Sequence, residues 1–293
     1  MVRKFLSCAL ILMLTLMFTA CGSDKKSDKL KIVTSFYPVY IETINIAGNV
    51  DGVEVVNLTQ PKTGCLHDYQ LTTEDMKTLE TADIFIVNGA GMESFLDKVT
   101  SAQKDLKIID ASAADDISFI KEGDEINPHV WMSITYSMAQ VREINRKLCE
   151  LDPDHAEAYK KNALDYLNKL SDLRDSMHFA LDNIPNKDII TFHEAFPYFA
   201  AEFKLNVAGV IEREPGTEPT PQELTATIEK LNSMPVKVIF TEPQYSSKAA
   251  ETISRETGAR IYTLDPVVTG DGNPFDYLNK MMDNMMTLLK ALS

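Results

Sequence analysis

The sequence predicts an α/β protein of two similar lobes, each with a parallel β-sheet flanked by helices, joined by one long rigid helix. Three observations predict this class. In the first half of the chain, short apolar runs alternate with helical patterns, and the same alternation restarts after Pro185. Between the two halves lies an apolar stripe with helical spacing. We therefore expect a cleft between the lobes, and any ligand site to lie in it.

Residues 1–20 have the pattern of a secretory signal peptide. Arg3 and Lys4 precede an apolar run over 5–18, which is too short to span a membrane. Small residues then precede Cys21, as in a bacterial lipobox, whose cleavage leaves an acylated (palmitate-type) cysteine at the new N-terminus. Ordinary secretion is the alternative. We interpret residues 21–29 as the lipidated cysteine and a flexible tether, which places the folded part at the extracytoplasmic face of the membrane.

Charge and cysteine content argue against a nucleic-acid-binding protein and against a disulfide-stabilised one. The formal net charge is -14 at pH 7, so phosphate backbones would be repelled and we expect no nucleic-acid partner. Cys8 lies in the signal and Cys21 at its cleavage site, which leaves Cys65 and Cys149 in the folded part. A disulfide framework therefore does not hold this protein together.

Residues 30–150 form the predicted N-terminal lobe. Short apolar runs bounded by turn residues predict its strands at 30–35, 53–58, 83–88 and 106–110. Helical patterns fit between these runs. Such alternation is typical of parallel strands with helical crossovers.

Residues 151–184 form the predicted connecting helix. Asp152, Pro153 and Asp154 are a strong helix start, since proline is tolerated in the first turn and the helix dipole favours acidic side chains there. An unbroken apolar stripe follows to Ile184. A helix of roughly 30 residues would span about 45 Å, more than one lobe needs, so we interpret it as a rod that joins two lobes.

Residues 185–293 form the predicted C-terminal lobe. Its strands are predicted at 188–192, 206–211, 236–241 and 260–264. Thr220 and Glu223 have the spacing of a capping box and predict the start of a helix that runs to Leu231. The acidic stretch 212–219 is predicted to be a loop.

Three histidines and one aspartate follow predicted strands or precede predicted helices: His67, His129, His193 and Asp265. In open α/β sheets, the carboxyl ends of strands converge on the crevice where ligands bind. Three imidazoles and one carboxylate form a complete four-coordinate set for zinc. Each histidine alone is more often a satisfied polar residue than a ligand, and Asp265 before Pro266 could simply begin a turn.

The chain resembles the zinc and manganese solute-binding proteins of bacterial ABC importers. Six segments carry the resemblance: Gly64 to Gln70, Asp83 ahead of Val87-Asn88-Gly89, Asn127-Pro128-His129-Val130-Trp131, Thr191-Phe192-His193-Glu194-Ala195-Phe196, Phe240-Thr241-Glu242-Pro243-Gln244 and Leu264-Asp265-Pro266. The resemblance implies two lobes linked by a rigid helix, with His67, His129, His193 and Asp265 as cleft ligands. It also implies a membrane permease and an ATPase subunit as partners. We expect a monomer.

The resemblance also bears on the choice of metal. Manganese members usually have Glu where this chain has His193, and a third nitrogen ligand favours zinc, with manganese as the alternative. Glu242 and Asp68 are candidates for orienting an imidazole from outside the ligand set. The segment 114–126 is acidic where many zinc members have a histidine-rich loop, and Leu66 replaces a common proline.

Cys65 stands two residues before the candidate ligand His67, and its sulfur is a soft donor that could also bind a metal. We interpret it as a partly buried thiol, like Cys149, in preference to a zinc ligand.

Enzyme motifs are incomplete, and we expect a binding protein and not an enzyme. His193-Glu194 begins like the zinc-peptidase helix, but Pro197 occupies the position of the second histidine. The sequence has no phosphate-binding Gly-x-x-x-x-Gly-Lys loop, so ATP hydrolysis belongs to a partner. The alternatives are a surface adhesin of the same fold and, more remotely, a zinc-dependent hydrolase.

Overall fold

The structure is a computed structural model that describes residues 29–59, 65–66, 69–211 and 219–293. The predictions of a signal peptide, of acylation at Cys21 and of a loop at 212–218 therefore fall outside the described residues, as do all but the last residue of the predicted tether. So do His67 and Asp68. Among the residues that are described, no helix is both long enough and apolar enough to cross a membrane.

The first lobe contains a four-stranded sheet with the order β2-β1-β3-β4, in which every pair is parallel. Its strands are β1 (Leu30–Thr34), β2 (Val53–Asn57), β3 (Ile84–Val87) and β4 (Lys107–Asp110). All four residues of β3 are buried, as expected for a central parallel strand with helices on both faces. The four predicted strands of this lobe are confirmed.

Helices cover this sheet: α1 (Tyr37–Ala47), α2 (Thr73–Glu80), α3 (Leu96–Ala102) and α4 (Ile134–Leu151). The acidic segment 114–126 contains a short antiparallel hairpin of β5 (Lys121–Glu122) and β6 (Glu125–Ile126). Thr72 begins α2 with a reciprocal capping box to Asp75.

The second lobe repeats the first. Its strands are β7 (Asp188–Thr191), β8 (Asn206–Val210), β9 (Val238–Thr241) and β10 (Arg260–Thr263), in the parallel order β10-β9-β7-β8. Read from the other edge, this is the strand order of the first sheet. The prediction of two similar halves is therefore confirmed at the level of topology.

With the connecting helix Ala156–Leu181 counted as α5, the helices of the second lobe are α6 (Pro197–Glu202), α7 (Pro221–Ser233), α8 (Lys248–Thr257) and α9 (Asp276–Leu292). The capping box predicted at Thr220 and Glu223 is present at the start of α7. Helix α8 ends at Gly258, whose φ of 72° is the left-handed conformation that glycine adopts without steric cost.

The connecting helix α5 (Ala156–Leu181) has 26 residues, or about 39 Å. It is shorter than predicted because Pro153–His155 forms a separate 3-10 turn before it and because the helix ends at Leu181. Helix α5 packs against α1, α4 and α9.

The two lobes share one hydrophobic core. A single cluster of buried side chains includes Ile32 and Val33 of β1, Leu170 of α5, and Phe240 and Leu264 of the second lobe. The C-terminal helix α9 packs on both α1 and α5. Separating the lobes would expose part of this apolar surface to water, which opposes wide opening.

Each sheet has its topological switch between its two central strands, at β1 and β3 in the first lobe and at β7 and β9 in the second. Strands on either side of such a switch feed connections to opposite faces, which leaves a crevice at their carboxyl ends. His193 comes two residues after the end of β7, and Glu242 directly follows β9.

Candidate metal centre

His129 is fixed by the residue two positions before it. The Asn127 side-chain oxygen lies 3.0 Å from the His129 backbone nitrogen and 3.0 Å from its Nδ1 atom. Asparagine side chains in turns commonly accept a hydrogen bond from the backbone two residues ahead. The support for His129 therefore comes from its own Asn-Pro-His segment. With Nδ1 donating to Asn127, Nε2 carries the free lone pair. The His129 side chain is buried, with 1% exposure.

His193 is held by Glu242. The Glu242 Oε1 atom accepts from the His193 backbone nitrogen at 3.2 Å and lies 2.6 Å from Nδ1. Both residues are buried. Burial by itself disfavours the charged imidazole, but the Glu242 carboxylate outweighs it and raises the pKa of His193 to about 10. Glu242 therefore orients the ring so that Nε2 points away from it, as an outer carboxylate does for a metal-binding histidine.

Three donor atoms converge between the lobes. The Nε2 atoms of His129 and His193 are 3.4 Å apart. The Cys65 Sγ atom lies 3.5 Å from the former and 3.6 Å from the latter. Among the described histidine, cysteine and acidic side chains, these three form the group whose ligand atoms all lie within 4.8 Å of one another. The arrangement offers two nitrogens and one sulfur to a cation.

Tyr245 closes one side of this group from the second lobe. Its ring meets that of His193 edge to face, with centroids 5.5 Å apart. Its hydroxyl also hydrogen-bonds Cys65, and burial raises the pKa of Tyr245, so that the hydroxyl stays protonated. Cys65, in the first lobe, is thus in contact with two side chains of the second.

Asp265 is not part of this group of three donors. Its Oδ2 atom accepts from Lys280 Nζ at 2.8 Å, and its Oδ1 atom accepts from the Val267 backbone nitrogen at 2.7 Å. The neighbouring Pro266 carbonyl accepts from Trp131 Nε1 at 2.8 Å, which ties this turn to the residue two after His129. Coordination by Asp265 stays a prediction, as does coordination by His67.

The two remaining histidines have structural partners. His155 Nδ1 is 2.7 Å from Asp152, and His178 Nδ1 is 2.9 Å from Asp182. Both side chains are partly exposed and lie beside a carboxylate on or next to α5.

Cys65, which our sequence interpretation considered as a ligand but preferred to read as a partly buried thiol, contacts both histidines of this group. Its position two residues before His67 was the available signal, because alternate residues of an extended segment point to the same side. The sequence alone did not show that the histidines of two lobes would come within contact of its sulfur.

A fold of two topologically matched α/β lobes with buried nitrogen and sulfur donors between them defines a class of cleft-binding proteins. A model of the family described as the periplasmic component A of zinc-uptake complexes matches residues 32–291. Because this match covers nearly the whole chain, the chain belongs to that family.

Similar proteins include both zinc and manganese binders. The manganese-binding lipoprotein MntA of Halalkalibacterium halodurans is 28% identical over 295 residues, with 97% of each chain covered. The high-affinity zinc uptake system protein ZnuA of Bacillus subtilis is 29% identical over 287 residues, covering 90% of this chain and 89% of the relative. Among solved structures, the SBP FpvC from Pseudomonas aeruginosa in complex with Mn²⁺ is 34% identical, with a TM-score of 0.80 over 90% of this chain and 98% of that one.

Proposed function

We propose that this chain is the extracytoplasmic metal-binding component of an ABC importer, which captures zinc in the cleft and delivers it to a membrane permease. One observation carries the proposal. Two buried imidazoles from different lobes have their Nδ1 atoms tied to oxygen acceptors and their Nε2 atoms 3.4 Å apart. Lone pairs held this close repel each other unless a proton or a cation lies between them, and a cation serves both at once.

The donor set supports zinc over manganese. Imidazole and sulfur are borderline or soft donors that suit Zn²⁺, whereas Mn²⁺ prefers carboxylate, carbonyl and water oxygens. His193 supplies nitrogen at the position where manganese members usually have Glu. Membership in a zinc-uptake family points the same way. In this proposal His67 and Asp265 are further ligands predicted from the sequence.

The partners follow from the role. A binding protein needs a permease to receive its cation and an ATPase subunit to drive transport, and we propose that this chain docks on the permease as a monomer. Acylation of Cys21 would hold it at the outer face of the membrane. The proposal assigns binding and release to this chain, and no chemical reaction.

Metal analysis tests the proposal. Purified without a tag, the protein is expected to hold one zinc per chain, and the double variant His129→Ala/His193→Ala is expected to hold none. His155→Ala/His178→Ala is the matched control, because it also removes two histidines but leaves the cleft untouched. Equal zinc content in all three proteins would contradict the proposal.

A further inference from the structure

The triangle of Cys65, His129 and His193 has the dimensions of one face of a zinc tetrahedron. With Zn–N of about 2.05 Å and Zn–S of about 2.3 Å, a tetrahedral ion sets two nitrogens about 3.4 Å apart and a nitrogen and a sulfur about 3.6 Å apart. The two Nε2 atoms are 3.4 Å apart, and the sulfur lies 3.5 and 3.6 Å from them. One point is therefore at bonding distance from all three atoms.

Hydrogen bonds within the triangle do not account for this arrangement as well as a cation does. Asn127 and Glu242 occupy the Nδ1 atoms of the two histidines. Even with His193 protonated, two hydrogens, its Nε2–H and the thiol S–H, serve the three close contacts, so one contact is left without a donor. A cation accepts from all three atoms together.

The Cys65 thiol is an acidic donor that the geometry already places against both histidines. Asp265, the carboxylate predicted from the sequence, is tied to Lys280 at 2.8 Å. Cys65 already contacts both imidazoles, and the Tyr245 hydroxyl beside it can donate to a metal-bound sulfur.

We propose that Cys65 Sγ is a direct ligand, bound as the thiolate, which makes the cleft a nitrogen–sulfur site selective for thiophilic divalent cations over manganese. The thiol proton passes to water as the sulfur–metal bond forms. This inference rests on the proposed function, which it deepens by naming the residue that sets cation selectivity. A thiolate favours zinc, cadmium and cobalt over hard cations.

Cobalt(II) is the probe for this bond, because a thiolate ligand gives a sulfur-to-cobalt charge-transfer band in the near ultraviolet and imidazoles do not. We expect the mature wild-type chain to show this band together with the visible bands of tetrahedral cobalt. Cys65→Ser should lose the charge-transfer band. Cys149→Ser, which removes the other thiol of the folded part, should keep it.

Affinities give a second readout. Cys65→Ser should weaken zinc binding on the order of 100-fold or more, since even a residue beside a ligand typically contributes roughly 10- to 100-fold. Manganese affinity should change by less than about threefold, because a hard cation gains little from sulfur. Competition titrations of both metals measure the two effects.

Alkylation of the wild-type protein tests the inference without any variant. Bound zinc should slow the reaction of Cys65 with iodoacetamide and leave that of Cys149 unchanged, as peptide mapping would show. Tetrahedral cobalt bands without charge transfer, or alkylation of Cys65 at the same rate with zinc, would overturn the cysteine ligand while leaving cation capture intact. Failure of the wild-type protein to bind either zinc or cobalt would overturn both.

Discussion

At the scale of single residues, the site depends on the oxygen atoms that accept from the Nδ1 atoms of the two histidines. Asn127 is adjacent in sequence to the His129 turn that it supports, whereas Glu242 reaches His193 from the next strand of the sheet. A charged acceptor on Nδ1 makes the opposite nitrogen a better donor to a metal. In the proposed site, the charge of Glu242 would therefore contribute to metal affinity without contact with the metal.

We expect Glu242→Gln to lower zinc affinity by about 10-fold. Glutamine retains an oxygen to accept from Nδ1 but removes the negative charge. Calorimetric competition measures the change, and Glu251→Gln on α8 is the control because it removes an exposed charge from the same lobe. Equal affinities of the two variants would mean that the Glu242 charge plays no part.

Zinc affinity should depend on pH well above the range of an ordinary histidine. The pKa of His193 is raised to about 10, so this ring is protonated at neutral pH and zinc must displace a proton from it. Affinity is therefore expected to rise steadily from about pH 7 to about pH 9, where a histidine with a pKa of about 6.5 would show no further change.

Titrations across this range in wild type and Glu242→Gln provide the measurement. Removing the carboxylate lowers the pKa of His193, so the variant should show the shallower dependence. A wild-type affinity that is flat over this range would refute the linkage to His193.

At the scale of elements, α5 stabilises the molecule through one apolar face. Residues of this face from Tyr159 to Leu181 are buried and repeat at helical spacing. The helix has no glycine or proline between Ala156 and Leu181, so nothing within it favours a kink. It therefore acts as a straight support against which both lobes pack.

The same substitution at two positions of α5 tests this role. Leu170 is 0% exposed and Leu164 is 59% exposed. Leu170→Ala is expected to lower the free energy of unfolding by about 2–5 kcal/mol, because it removes buried contacts and leaves a cavity. Leu164→Ala should change it by less than about 0.5 kcal/mol. Denaturant unfolding of both variants measures the difference, and similar losses would show that the packed face is not the source of stability.

At the scale of the whole molecule, the shared core limits how the cleft can move. One apolar cluster runs from β1 through α5 to β9, and α9 of the second lobe packs on α1 of the first. Wide hinge opening would expose this surface, whereas small tilts and loop movements would not. Release of the cation to the permease then requires separation of donor atoms over a few ångströms, not over the width of a lobe.

Small-angle scattering with and without zinc should therefore show no lobe-scale closure. Zinc should nevertheless raise the unfolding temperature, because it binds the folded cleft and not the unfolded chain. The variant His129→Ala/His193→Ala is the control, and its unfolding temperature should not respond to zinc. A large fall in the radius of gyration on binding would contradict the rigid arrangement.

The sequence by itself determined the local features of this protein. Eight strands, the long helix and the capping box at Thr220 were predictable because each depends on apolar spacing or on contacts within a few residues. His129 and His193 were also predictable as candidate ligands, because each lies next to a predicted helix start or strand end.

Tertiary structure alone decided which atoms meet. Cys65 and His193 are 128 positions apart in the chain, and only the packing of the two lobes places Sγ and Nε2 3.6 Å from each other. It also placed Asp265 against Lys280, 15 positions away on α9. Distances between remote side chains depend on how elements pack, and sequence spacing does not encode that packing. For this reason the fold and the candidate ligands could be predicted, while the contact of the Cys65 thiol with both histidines could not.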